Sequence, residues 1–178
     1  MRKLIISTLA SFVFVSAAHA ADLCNRTGST IRIANHYTAV ALFFGGKSSF
    51  TGWFVLKNGQ CKHIGADNGQ QDIILTVQKE GMLWGWKTLR PSNYQVETRT
   101  KNASSGHWKM RPSNSFLCVP PDGTVQRNAK WIPRERANST KCYGKNTLAK
   151  NLIALASWST NYMPRMTVVL TPNGAFMQ

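Results

Sequence analysis

The sequence predicts a mainly β domain, a small antiparallel sandwich or barrel-like unit with one amphipathic helix in its C-terminal half and two disulfides. Three observations predict it. Short β-branched and aromatic runs are punctuated by glycine-containing pairs, four cysteines follow an apparent export signal, and one later stretch carries leucines at helical spacing.

The chain opens on Arg2 and Lys3, an apolar run from Leu4 through Val15, and the small-residue pattern Ala18-His19-Ala20. This is the grammar of a signal peptide cleaved after Ala20. A membrane anchor needs roughly 20 apolar residues, and this run is nearer a dozen. Leu23 is too bulky for the position before a lipidated cysteine, so Cys24 is not read as a lipoprotein anchor. Residues 1–20 are therefore assigned to the signal and 21–178 to a single domain, with periplasmic or extracellular localisation expected.

Thr30 to Ile33, Val40 to Phe44, Trp53 to Leu56, Asp72 to Val77 and Met166 to Leu170 read as strands. Gly45-Gly46, Asn58-Gly59, Asn68-Gly69 and Asn173-Gly174 read as turns between them. Asn58-Gly59 is the tightest, and predicts a hairpin joining Trp53 to Leu56 with a strand entering at Cys61. Pro112, Pro120, Pro121 and Pro133 break a polar and basic stretch that reads as loop-rich. Thr147 to Trp158 places Leu148, Leu152 and Leu155 at helical spacing, which predicts an amphipathic helix packed on a sheet.

Cys24, Cys61, Cys118 and Cys142 all follow the cleavage point, and an even set in an exported chain reads as disulfides with three connectivities open. No Cys-x-x-Cys spacing of a zinc or redox site is present. Cys61 and His63 share a strand face, but nothing nearby completes a metal set, and His63 reads as structural.

Charge is the strongest compositional signal. Loss of Arg2 and Lys3 with the signal leaves 20 basic against 7 acidic residues, a net +13. Between Arg99 and Arg165 lie Lys101, Lys109, Arg111, Arg127, Lys130, Arg134, Arg136, Lys141, Lys145 and Lys150, against Asp122 and Glu135. Such a field attracts polyanions: nucleic acid, lipopolysaccharide or acidic glycan. It also keeps a protein soluble without any ligand.

Catalytic groupings are sparse. His36, His63 and His107 share no metal-binding spacing, and neither a Gly-x-Ser-x-Gly elbow nor a phosphate-cradling Gly-x-x-x-x-Gly-Lys loop occurs. No cofactor is implied. A nuclease-like reading places His107 as general base with Lys109 or Arg111 on a phosphate. The aromatic residues carry more. Trp84-Gly85-Trp86 puts two indoles on one strand face near Lys79, Lys87 and Arg90, suited to stacking or to core packing, and Trp53 reads as a core residue. Trp108 and Trp131 sit among Lys and Arg and are expected to face a ligand. The candidate binding set is thus Trp108, Lys109, Arg111, Arg127, Lys130, Trp131, Arg134 and Arg136, on a non-catalytic module.

Scattered motifs resemble the bacterial DUF1036 family: Cys24-Asn25-Arg26-Thr27, Ile33-Ala34, Gly52-Trp53-Phe54-Val55-Leu56, Gly59-Gln60-Cys61, Phe116-Leu117-Cys118-Val119 and Cys142-Tyr143-Gly144. The chain departs from that pattern in Asp72-Ile73-Ile74-Leu75, where a tyrosine-rich strand is usual, and in a long basic insertion around Trp131. The resemblance implies an exported β domain, supplies no biochemical activity, and pairs Cys24 with Cys61 and Cys118 with Cys142, which is also the local pairing.

Overall fold

The computed structural model describes residues 21–40, 47–64, 70–81, 85–90, 92–103, 106–119, 126–127, 131–132, 136, 141–142, 144–159 and 166–178. The expected signal at 1–20 and the turns at 45–46 and 68–69 lie outside them. In chain order the strands are β1 (Ala21–Asn25), β2 (Ile31–Val40), β3 (Lys47–Leu56), β4 (Cys61–His63), β5 (Gln70–Gly81), β6 (Gly85–Thr88), β7 (Gln95–Val96) and β8 (Arg99–Ala103). They continue as β9 (Gly106–Pro112), β10 (Phe116–Val119), β11 (Gln126–Arg127), β12 (Trp131–Ile132), β13 (Thr147–Lys150), β14 (Ile153–Ser159), β15 (Met166–Leu170) and β16 (Gly174–Met177).

Among the described residues these strands form three sheets. A five-stranded sheet runs β4-β1-β15-β16-β7, a three-stranded sheet β12-β10-β13, and an eight-stranded sheet β11-β3-β2-β5-β14-β9-β8 with β6 also on β5. The long strand β5 serves two neighbours on one edge: β14 pairs with residues 71–75 and β6 with residues 78–81. Pairing is mostly antiparallel, with β1 and β15 parallel, as are β7 and β16.

Alternation explains the core. Along β2, Ile31 and Ile33 point to one face, and Ile73, Leu75 and Val77 of β5 join them. Trp108 and Met110 of β9 and Ile153 and Leu155 of β14 extend that face. Opposite it, the five-stranded sheet supplies Leu23, Met166, Val168, Leu170, Ala175 and Met177. This is sheet-on-sheet packing, and it accounts for the mainly β class read from the sequence. A second, smaller cluster lies on the other face of the eight-stranded sheet, where Ala34 meets Leu117, Val119 and Ala149 with Trp53 packed against them. Trp53 thus belongs to this outer layer and not to the main core.

Asn25, the asparagine after the first cysteine, ties the two large sheets together. Fully buried, it uses every polar group. Its Nδ2 donates to Leu56 O and Ser29 O, both at 2.8 Å, while Oδ1 accepts from the Thr27 N–H at 3.0 Å and the Thr27 hydroxyl at 2.8 Å. Its backbone grips the Asn58-Gly59 turn through Asn25 N to Gln60 O at 2.8 Å and Gly59 N to Asn25 O at 2.7 Å. The turn itself is closed by Gln60 N to Lys57 O at 3.1 Å, with Gly59 at φ +90°. Beside it, Cys24 and Cys61 are register partners on β1 and β4 and are joined by a disulfide.

Two expectations are corrected. The Asn58-Gly59 turn does not close a hairpin, because β3 remains on β2 in the eight-stranded sheet while β4 pairs with β1 in the other. Nor is 147–158 a helix. It forms β13 and β14, broken at Asn151-Leu152, where the chain passes from the three-stranded to the eight-stranded sheet. Residues 113–115 make the same passage between β9 and β10, so β9-β10 and β13-β14 form one antiparallel ribbon bent across two sheets. The second disulfide, Cys118 to Cys142, fixes β10 to the segment before β13. No helix among the described residues is long and apolar enough to cross a membrane.

Candidate functional site

The strand β9 converts the basic run His107-Trp108-Lys109-Met110-Arg111 into two faces. Trp108 and Met110 are fully buried, and His107, Lys109 and Arg111 are exposed at alternate positions. Two charged side chains of one sign therefore project from the same side of a strand held on both edges, by β14 and by β8. Ala154 and Ala156, opposite Arg111 and Lys109, add little bulk beside them.

Placement of the predicted binding residues is uneven. Trp108 corrects the expectation of a ligand-facing indole: at 0% exposure it is the largest fully buried side chain among the described residues, packed in the main core. Charged neighbours misled the reading, since alternate positions of a strand face opposite ways and say nothing about the residue between them. Arg127 lies on β11, at the edge of the eight-stranded sheet away from β9, so the fold does not gather it with Lys109 and Arg111. Trp131 lies on β12 in the three-stranded sheet, and Arg136 is exposed. Lys130 and Arg134 fall outside the described residues. His63 sits against Asp22, with Nδ1 to Oδ1 at 3.6 Å across the β1–β4 pair, and Cys61 is committed to its disulfide.

A second cluster was missed in the sequence. Arg32 of β2 lies between two indoles, its guanidinium carbon 4.5 Å from the Trp53 ring centre and 4.8 Å from that of Trp86. Its Nε donates to Gln78 Oε1 at 2.6 Å, and Gln78 Nε2 in turn donates to the Thr88 hydroxyl at 3.0 Å. Register explains the assembly: Val55, Arg32, Gln78 and Thr88 are successive cross-strand partners on β3, β2, β5 and β6. Partial burial lowers the Arg32 pKa from its ordinary value, yet the group stays cationic because an arginine starts so high. Each indole contact contributes about 0.5 to 2 kcal/mol. The available signal was Arg32 itself, set between Ile31 and Ile33 on a strand, which places it on the face opposite the core. Of the Trp84-Gly85-Trp86 pair, Trp86 is half-buried in this stack and Trp84 lies outside the described residues.

No family model matches this chain, and comparison with curated proteins and with solved structures finds no match to it.

Proposed function

We propose that this chain is an exported, non-catalytic module, of the DUF1036 kind its motifs resemble, that binds an anionic polymer or a cell-envelope surface. The observation that carries the reading is the exposed pair Lys109 and Arg111 on one face of β9, anchored from behind by buried Trp108 and Met110. A rigid strand presents charge with little ordering cost, and counterion release from the polymer supplies the binding free energy. A net charge of +13 on residues 21–178 steers any polyanion toward it. Two disulfides suit an oxidising compartment, in keeping with the export signal at residues 1–20.

The test is titration of the mature protein with heparin and with duplex DNA at two salt concentrations. Binding that weakens steeply with salt supports the proposal, and no binding at low salt refutes it. A hydrolytic reading has one point in its favour: His107 shares the exposed face with Lys109 and Arg111. His107→Ala separates the two, since it abolishes a hydrolase that uses this imidazole and leaves polyanion affinity nearly unchanged.

A further inference from the structure

We infer that Arg32, held between Trp53 and Trp86, anchors a second and separate binding site that takes the carboxylate of an acidic sugar. The Arg32 guanidinium carbon stands 4.5 Å from the Trp53 ring centre and 4.8 Å from that of Trp86, and its Nε is committed to Gln78. The two terminal amino groups make no hydrogen bond to the described residues, and because guanidinium N–H bonds lie in the plane of the group, a hydrogen-bonding partner approaches in that plane. A planar carboxylate matches that edge with two parallel hydrogen bonds. Stacking and the Gln78–Thr88 relay fix the fork before any ligand arrives, which lowers the ordering cost of binding.

The surroundings specify the rest of the ligand. Val55, the register partner of Arg32, is 54% exposed and offers an apolar surface beside the fork. Arg32 and the two indoles do not line the nearby open depression of about 420 Å³, whose walls are Gly28, Ser29, Thr30, Asn58, Glu80 and Gly81 and which reaches the stack through strand register. Glu80 is the register partner of Trp86, and Thr30 lies two residues before Arg32 on the same chain segment. The depression is rich in hydroxyl and amide groups and holds one carboxylate. Sugar hydroxyls can donate to Glu80, whereas a second phosphate or sulfate is repelled by it. One anionic group next to several neutral hydroxyls is the chemistry of a uronic acid.

This site is distinct from β9. Three strand spacings and six residues along β5 separate Arg32 from Lys109, roughly 25 Å at ordinary sheet dimensions.

The experiment is a titration of ¹⁵N-labelled mature protein, both disulfides intact, with glucuronate, glucose and inorganic sulfate, following the Arg32 Nε–H and tryptophan indole signals. Glucuronate is expected to shift both signals saturably, glucose to leave them in place, and sulfate to bind at least several-fold more weakly. Arg32→Lys, which keeps the charge and loses the fork, and Trp86→Ala should each weaken glucuronate roughly ten-fold. The pair Lys109→Glu and Arg111→Glu should leave glucuronate binding unchanged, so this inference and the polyanion reading fail independently. No saturable shift with glucuronate in the wild-type protein overturns the inference, as does an equal response to sulfate or to glucose, or undiminished binding by Arg32→Lys.

Discussion

The Thr76 hydroxyl donates to Asn151 Oδ1 at 2.6 Å, joining residues 75 positions apart at the corner where the bent ribbon leaves the eight-stranded sheet. Asn151 Nδ2 continues the chain to Ser115 Oγ at 2.9 Å, and Ser115 and Ser113 share a hydrogen bond at 2.8 Å between their hydroxyls. Backbone groups complete the corner, with Asn151 N to Ser115 O at 3.0 Å and Leu152 N to Leu75 O at 2.8 Å. All four side chains are buried, so each polar atom needs the others.

Asn151→Ala should therefore destabilise the fold by about 2 to 3 kcal/mol, because it leaves the Thr76 and Ser115 hydroxyls without their shared partner. Urea unfolding measures it. Thr76→Val, which removes a single hydroxyl with little change of shape, should cost about 1 kcal/mol.

The same corner shows why the sequence was legible in part. Strand positions such as Met166–Leu170 could be read because each lies in one sheet and alternates without interruption. Between 147 and 158 the alternation is broken: Ile153, Leu155 and Ser157 keep a period of two, but the bend at Asn151-Leu152 shifts the phase and makes Leu148, Leu152 and Leu155 imitate a helical stripe. Leu148 is 37% exposed, which a helix packed through that stripe would not allow. The Asn58-Gly59 turn was visible for its backbone conformation, whereas its destination depended on Asn25, 31 positions before Leu56. Basic residues on β9 were found by composition; the Arg32 stack joins three strands distant in sequence, and no local window contains it.

Removing the Cys24–Cys61 disulfide, with serine at both positions, should lower stability by about 3 to 4 kcal/mol, since the bridge closes a loop with a sequence separation of 37. Loss of Cys118–Cys142, with a separation of 24, should cost slightly less. Denaturant midpoints of the two double variants decide the order, and peptide mapping without reduction checks the pairing.

Tyr94 predicts a pH effect. Its hydroxyl donates to the carbonyls of Thr171 and, at 2.9 Å, Gly174, pinning the turn between β15 and β16. Burial pushes its pKa well above the ordinary tyrosine value near 10. The folded state therefore holds this proton at pH values where the unfolded chain has released it. The resulting stability is complete below about pH 10 and declines as pH rises past that point toward the folded pKa. Tyr94→Phe should flatten that alkaline decline and lower stability at neutral pH by about 1 to 2 kcal/mol. Denaturation curves at neutral and alkaline pH, compared between wild type and variant, measure both effects.

Adjacent residues of β9 should separate folding from binding. Trp108 is fully buried and Lys109 and Arg111 are exposed, so substitutions one position apart act on different properties. Trp108→Ala should cost about 3 to 5 kcal/mol of stability by opening a cavity in the main core. Lys109→Glu with Arg111→Glu should leave stability nearly unchanged, because exposed strand charges contribute little to folding. The charge-reversed protein should instead lose affinity for heparin and duplex DNA. If about six basic side chains contact duplex phosphates, log K should fall with log salt at a slope of roughly −5, and deleting two contacts should flatten it by roughly 2. Arg136→Glu tests whether the surface extends beyond β9: an additional flattening of roughly 1 includes its side chain, and none excludes it. An unchanged salt slope in the Lys109 and Arg111 variant would remove β9 from the binding surface, even if the wild-type protein binds polyanions.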